Sequence, residues 1–249
     1  MYKVALGAGH RLATPGKRLP AELDPNETRE WVLNDRVCDY VEKNLSAYDG
    51  YELLRVDDTN GVAEISIEQR VSAANAWGAD VVIAAHHNAA GRIFDGGGIV
   101  VYRDPLANDE NTVSLQEEMY EALIRHTGLK GNRADPLAES ALYVLRNTNA
   151  PAVLLELGFM DSTVDAPIIL TDEFAKQCAD AITEVIVKRG NLALKNQAIL
   201  DDGSAWSKKD RDWAVGLGLF VGTGAGYNWK GPVTREELAA ILHRYEQNK

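Results

Sequence analysis

Residues 79–88 read Ala79-Asp80-Val81-Val82-Ile83-Ala84-Ala85-His86-His87-Asn88. A short apolar run of this kind, closed by polar residues, is the pattern of a strand buried on both faces, the habit of a parallel sheet covered by helices. Upstream, Tyr2 to Leu6 reads as a first strand, and Glu27 to Leu45 as a helix with Leu33, Val37, Val41 and Leu45 along one face. Tyr51 to Val56 reads as a second strand, and Ser66 with Gln69 as a capping box opening a helix to about Trp77. Downstream, Gly96-Gly97-Gly98 breaks the chain before a strand at Ile99 to Tyr102, and a helix is predicted from about Thr112 to His126. Strands near Leu142 to Leu145 and Val153 to Glu156, then a helix from about Asp172 to Arg189, complete the alternation. The expected class is α/β: a twisted, mostly parallel sheet flanked by helices on both faces, plus a small, mainly helical C-terminal module.

The predicted organisation is a catalytic domain at 1–190, a linker at 191–203 that ends in the turn signal Asp201-Asp202-Gly203, and a small module at 204–249. The chain has 249 residues, 26 basic against 37 acidic side chains, and a net charge of −11. Nucleic acid is not an expected partner, because phosphate contacts need clustered Lys and Arg. No apolar run approaches the ~18 residues of a membrane span. The first residues lack the apolar segment of a Sec-type signal peptide, so synthesis in the cytoplasm is the expectation. Cys38 and Cys178, far apart in predicted helices, read as buried free thiols.

The chemistry gathers at predicted strand ends, where open α/β sheets bind their ligands. His10 follows the first strand through Gly7-Ala8-Gly9, and His86 closes the strand that begins at Asp80. Strand alternation lets only one of His86 and His87 face a site there. Glu27 stands at the predicted helix start, and Glu156 ends the apolar run Ala152-Val153-Leu154-Leu155. Burying an unpaired carboxylate costs several kcal/mol, so an acid at that position calls for a function. Two neutral imidazoles and one carboxylate form a ligand set of catalytic zinc, and a further carboxylate can serve as the acid and base of hydrolysis. His126 near its helix end reads as a partner of the helix C-terminal dipole, and His243 in the last helix as a surface residue.

Taken together, Gly7-Ala8-Gly9-His10, Asn26-Glu27, the 79–88 run, Gly96-Gly97-Gly98 and Ala150-Pro151-Ala152-Val153-Leu154-Leu155-Glu156-Leu157-Gly158-Phe159 resemble the Amidase_3 family over about residues 1 to 188. These are zinc-dependent N-acetylmuramoyl-L-alanine amidases of autolysins and endolysins. The resemblance implies one Zn²⁺ held by His10, Glu27 and His86, with Glu156 as catalytic acid/base. It also implies cleavage of the peptidoglycan amide between the lactyl group of MurNAc and L-Ala. His86 rather than His87 matches the family's His-any-Asn pattern. Gly7 stands where the family commonly carries Asp, so another group must orient His10. Asn88 and Asn147 are the predicted substrate contacts.

In the tail, Trp213-Ala214-Val215, Gly218-Leu219-Phe220, Trp229 and Thr234-Arg235-Glu236-Glu237-Leu238-Ala239 resemble one S-layer homology repeat. That likeness implies binding of a secondary cell-wall polymer through Arg235, with self-association into a homodimer as the other use of so small a module. Thr234 with Glu237 reads as a second capping box. The alternatives to an amidase are a zinc peptidase cutting within the stem peptide and a non-catalytic wall-binding protein. The expected place of action is the cell wall, reached after holin-type release.

Overall fold

In a computed structural model of the chain, residues 1–195, 205–217, 219, 229 and 235–247 are described. The chain divides into two compact units, Met1–Ala193 and Leu194–Lys249.

The first unit is built on strands β1 (Tyr2–Ala8), β2 (Tyr48–Asp49), β3 (Tyr51–Arg55), β4 (Val81–Asn88), β5 (Ile99–Arg103), β6 (Leu137–Glu139) and β7 (Ala152–Phe159). Helices α1 (Glu30–Leu45), α2 (Ile67–Trp77), α3 (Glu110–Thr127), α4 (Tyr143–Arg146), α5 (Ala166–Ile169) and α6 (Asp172–Gly190) connect them, and β8 (Ala193–Leu194) follows. Six strands form one sheet in the order β3-β1-β4-β7-β5-β6. Every neighbouring pair is parallel except β5 and β7, which run antiparallel.

Alternation along the central strands divides the core. Val4, Leu6, Val81, Ile83, Val153 and Leu155 face α1, α3 and α6, the larger apolar layer. Ala5, Val82, Ala152 and Leu154 face the other way, against Val71 and Ala74 of α2 and Val144 and Leu145 of α4. His86 and Glu156 share the phase of this second set, and their backbones are partners across β4 and β7. The Ser66–Gln69 capping box forms in both directions and fixes the start of α2. Cys38 and Cys178 are buried free thiols.

Two predicted elements are corrected. The strand expected at Leu142–Leu145 is helix α4, and the edge strand lies earlier, at β6. Four apolar residues carry no decisive period, and here Val144 and Leu145 turn together onto α2. The helix expected from Glu27 starts at Glu30. Asp24 captures the backbone N–H groups of Asn26 and Thr28 at 3.0 and 2.8 Å, holding a turn through the predicted first helical residues.

In the second unit, a short 3₁₀ turn at Ala205–Ser207 leads into α7 (Lys208–Gly216), and α8 spans Arg235–Gln247. The Arg211 guanidinium lies 5.6 Å from the Trp229 ring centroid, while Trp206 and Trp213 are exposed. His243 is exposed on α8. Arg235 opens that helix, but its side chain, the Thr234 cap and most of the Gly-rich stretch lie outside the described residues. No helix among the described residues is long and apolar enough to cross a membrane.

Candidate metal centre

Three side chains meet beyond the ends of β1 and β4. Glu30, the first residue of α1, is fully buried. Its Oε1 lies 3.3 Å from His10 Nε2 and 3.1 Å from His86 Nδ1. The two rings meet edge to face, with centroids 4.9 Å apart. One potential ligand atom from each of the three residues lies within 4.8 Å of the other two.

The local sequence explains the approach. β1 carries the chain to Gly9, whose N–H donates to Ala85 O at 2.8 Å and so joins the end of β1 to β4. A Cβ on Gly9 would stand 2.1 Å from the His86 ring, so only glycine lets the imidazoles close together. His10 then takes a left-handed backbone with φ 64°, a conformation that costs a non-glycine residue about 1–2 kcal/mol. Glu30 sits at a helix N-terminus, where the macrodipole favours an anion.

The charge states follow from surroundings. Burial alone would raise the Glu30 carboxyl, but hydrogen bonding to His10 and His86 more than offsets it and holds the group far below the ordinary carboxylate range. Burial pushes His86 down, which keeps its imidazole neutral and available as a ligand. Glu30 Oε2 has no hydrogen-bond partner, and the Lys17 ammonium faces it at 3.5 Å. A tetrahedral ion with ligand bonds of about 2.0–2.1 Å separates its donors by about 3.3–3.4 Å. The 3.1 and 3.3 Å spacings from Glu30 Oε1 and the two-nitrogen, one-oxygen set therefore fit a zinc-type ion.

Glu156 ends the apolar run of β7 directly beside His86. Burial, then the negative charge of Glu30, pushes its carboxyl up to about 8, and its Oε2 has no partner. A cleft of about 260 Å³ opens alongside, lined by Gly9, His10, Arg11, Thr14, Arg70 and His86 among others.

The acid at the cluster is Glu30, not Glu27. Glu27 lies in the preceding turn with φ 45°, half exposed, and pairs with Arg18 at 3.1 Å. A signal for Glu30 was present: it stands three and seven residues before Leu33 and Val37, an acid on the apolar stripe of α1. Asn34, one turn further, was missed too. It donates to Gly9 O at 3.2 Å and to Glu30 Oε1 at 3.4 Å, and its Oδ1 accepts from His87 Nδ1 at 2.7 Å. His87 points to the larger core, buried and pushed down to about 3 by desolvation.

Neither predicted asparagine joins the cluster through its side chain. Asn88 Oδ1 accepts from the next residue's N–H at 2.8 Å, and Asn147 Nδ2 donates to Tyr143 O at the end of α4. His126 pairs with Glu184 at 2.9 Å on the surface.

The fold and cluster together define an α/β protein whose strand ends carry two partly exposed imidazoles around one buried carboxylate. The family model described as N-acetylmuramoyl-L-alanine amidase, Amidase_3, matches residues 4–188, and the chain belongs to that family. The N-acetylmuramoyl-L-alanine amidase CwlM of Bacillus licheniformis is 33% identical over 136 residues, covering 55% of this chain and 50% of that protein. An endolysin of Bacillus phage SPP1 is 32% identical over 146 residues, covering 57% and 50%. The chain thus spans about half the length of these curated relatives. Among solved structures, the catalytic domain of the amidase CwlV from Bacillus (Paenibacillus) polymyxa var. colistinus superposes with a TM-score of 0.67 at 22% identity. It covers 78% of this chain and 100% of that one, a likeness that establishes the fold.

Proposed function

We propose that the protein is a zinc-dependent peptidoglycan hydrolase that cleaves the amide between the MurNAc lactyl group and L-Ala. The observation that carries this reading is Glu156, half-buried with its Oε2 buried and without a partner, beside a His10–Glu30–His86 cluster whose geometry suits the metal. His10, Glu30 and His86 are the residues that hold the ion. Zinc bound there supplies a Lewis acid for the amide carbonyl and a water whose pKa falls toward ~7.

The chain's own groups do the rest. Burial keeps His86 neutral, so it can donate a lone pair, while Glu30 contributes the anionic ligand. Glu156 takes the proton of the attacking water on its carboxylate and returns it to the leaving L-Ala nitrogen, generating a free amine and a lactyl carboxylate. A carboxyl held up near 8 is matched to both halves of that transfer near neutral pH. The cleft of about 260 Å³ beside His10 and His86 leaves room for part of a substrate next to two of the three ligands. For the second unit we carry forward the wall-associated reading, with Arg235 as the residue to substitute in a wall-pelleting assay.

The deciding test is end-group analysis of purified peptidoglycan treated with the wild type and with Glu156→Gln, each with and without chelator. New L-Ala amino termini without new reducing sugars, lost in the variant and on chelation, are expected. Termini at another stem residue would shift the assignment to a peptidase, and no release at all would leave a wall-binding protein.

A further inference from the structure

Arg70, in the first turns of α2, is half-buried and donates to backbone carbonyls. Nη1 donates to Ala8 O at 2.5 Å, Nη2 to His10 O at 3.1 Å and Nε to Ile65 O at 3.1 Å. The first two carbonyls bracket Gly9 and belong to the turn that throws His10 into its left-handed conformation. We propose that Arg70 is the positioning residue of the first metal ligand: its fork clamps the Ala8–His10 turn and thereby aims the His10 imidazole at Glu30 and His86.

Several features support a clamp rather than a generic buried arginine. A left-handed non-glycine backbone persists only where its surroundings over-determine it. Here the turn is held on three sides: Gly9 N–H on Ala85 O, Gly9 O on Asn34, and the guanidinium on the flanking carbonyls. The capping box fixes the start of α2, and the bond to Ile65 ties the guanidinium to that same start, so the fork is aimed before any ligand arrives. A planar guanidinium reaches two carbonyls in fixed geometry, which an ammonium cannot. The neighbouring carboxylate of Asp57, which Arg55 holds by two hydrogen bonds of 2.9 and 2.8 Å, balances the buried charge.

This inference rests on the metal-centre reading proposed above, and its test separates the two. Zinc affinity of the full chain is measured by competition with a chromophoric chelator for the wild type, Arg70→Lys, Arg70→Met and Val71→Ala. Val71, the next residue of the same helix, belongs to the apolar layer with Ala5, Val82 and Leu154 and is in none of the hydrogen bonds that hold the turn. Both Arg70 variants are expected to lose about 10- to 100-fold in affinity, the usual effect of removing a group that orients a ligand. In cobalt-loaded Arg70→Lys the visible d–d bands should shift. Val71→Ala should lower the melting temperature and keep wild-type affinity and bands. Folded Arg70 variants with affinity within about twofold of wild type, or a loss that Val71→Ala matches, overturn the clamp. Should the wild type bind no zinc, the metal reading fails, and a metal-free crystal structure of Arg70→Lys still decides the clamp. His10 leaving its left-handed backbone supports it, and His10 unchanged overturns it.

Discussion

Two carboxylates lie near one another, one at the start of α1 and one within β7 beside His86, and they are held in opposite states. Glu30 is fully buried yet kept ionised, because two imidazoles offer it hydrogen bonds and a helix N-terminus stands behind it. Glu156 is half-buried beside His86, receives no hydrogen bond on its buried Oε2 and feels the charge of Glu30, so desolvation and that charge push its carboxyl up to about 8. On the proposed reading, identical chemistry in two settings yields a ligand and a proton carrier. The setting, rather than the residue type, assigns the work.

The comparison breaks most completely at Glu30. Glu30→Gln should weaken zinc binding by more than about 100-fold, beyond the ~10–100-fold of a lost orienting group, and abolish amidase activity; Glu27→Gln should do neither. Chelator competition and end-group release measure both. Retained affinity in Glu30→Gln would remove that residue from the ligand set. Glu156→Gln sharpens the contrast from the other side: zinc affinity close to wild type, with kcat lower by on the order of 10³, within the range of general acid–base catalysis.

A third consequence concerns pH. Glu156 titrates near 4.5 when unfolded and about 8 when folded, so between those values the folded state binds more protons. Its contribution to stability is therefore present in full below pH ~4.5 and is lost as the pH rises toward 8. Metal-free Glu156→Gln escapes that loss. Its advantage over the wild type should grow from pH 5 to 8, reaching on the order of 3 kcal/mol near neutrality at ~1.4 kcal/mol per unit. Denaturant melts across that range give the slope, and a flat difference would contradict the buried, protonated state. The smallest effect is expected at Lys17. Removing its half-exposed ammonium from beside Glu30 in Lys17→Met should tighten zinc binding by about two- to fivefold, an effect that salt reduces.

Legibility in the sequence followed burial. The alternation of apolar runs and periodic segments revealed the sheet, and an acid closing Ala152–Leu155 revealed Glu156, because nothing bland explains a carboxylate there. The choice between Glu27 and Glu30 depended on where α1 begins. That start is set by the side chain of Asp24 holding two N–H groups, a contact the helical period does not encode. Asn34 and Arg70 were invisible for a related reason. They act on backbone carbonyls of a turn distant in sequence, so no spacing between side chains announces them. Helix α4 was read as a strand because four residues are too few to display a period.

The three residues of the cluster come from positions 10, 30 and 86, so an ion among them would tie together chain segments that are otherwise joined only by the fold. Such an ion is a reversible cross-link. Because it favours the folded chain alone, its effect grows with free metal as RT ln(1 + [L]/Kd), about 2.7 kcal/mol at a hundredfold excess over Kd. With such an ion, the protein's resistance to heat and to proteases would become a property of the medium around it. A chain working outside the buffered metal pool of a cell would keep or lose its rigidity together with its activity, according to the zinc it meets.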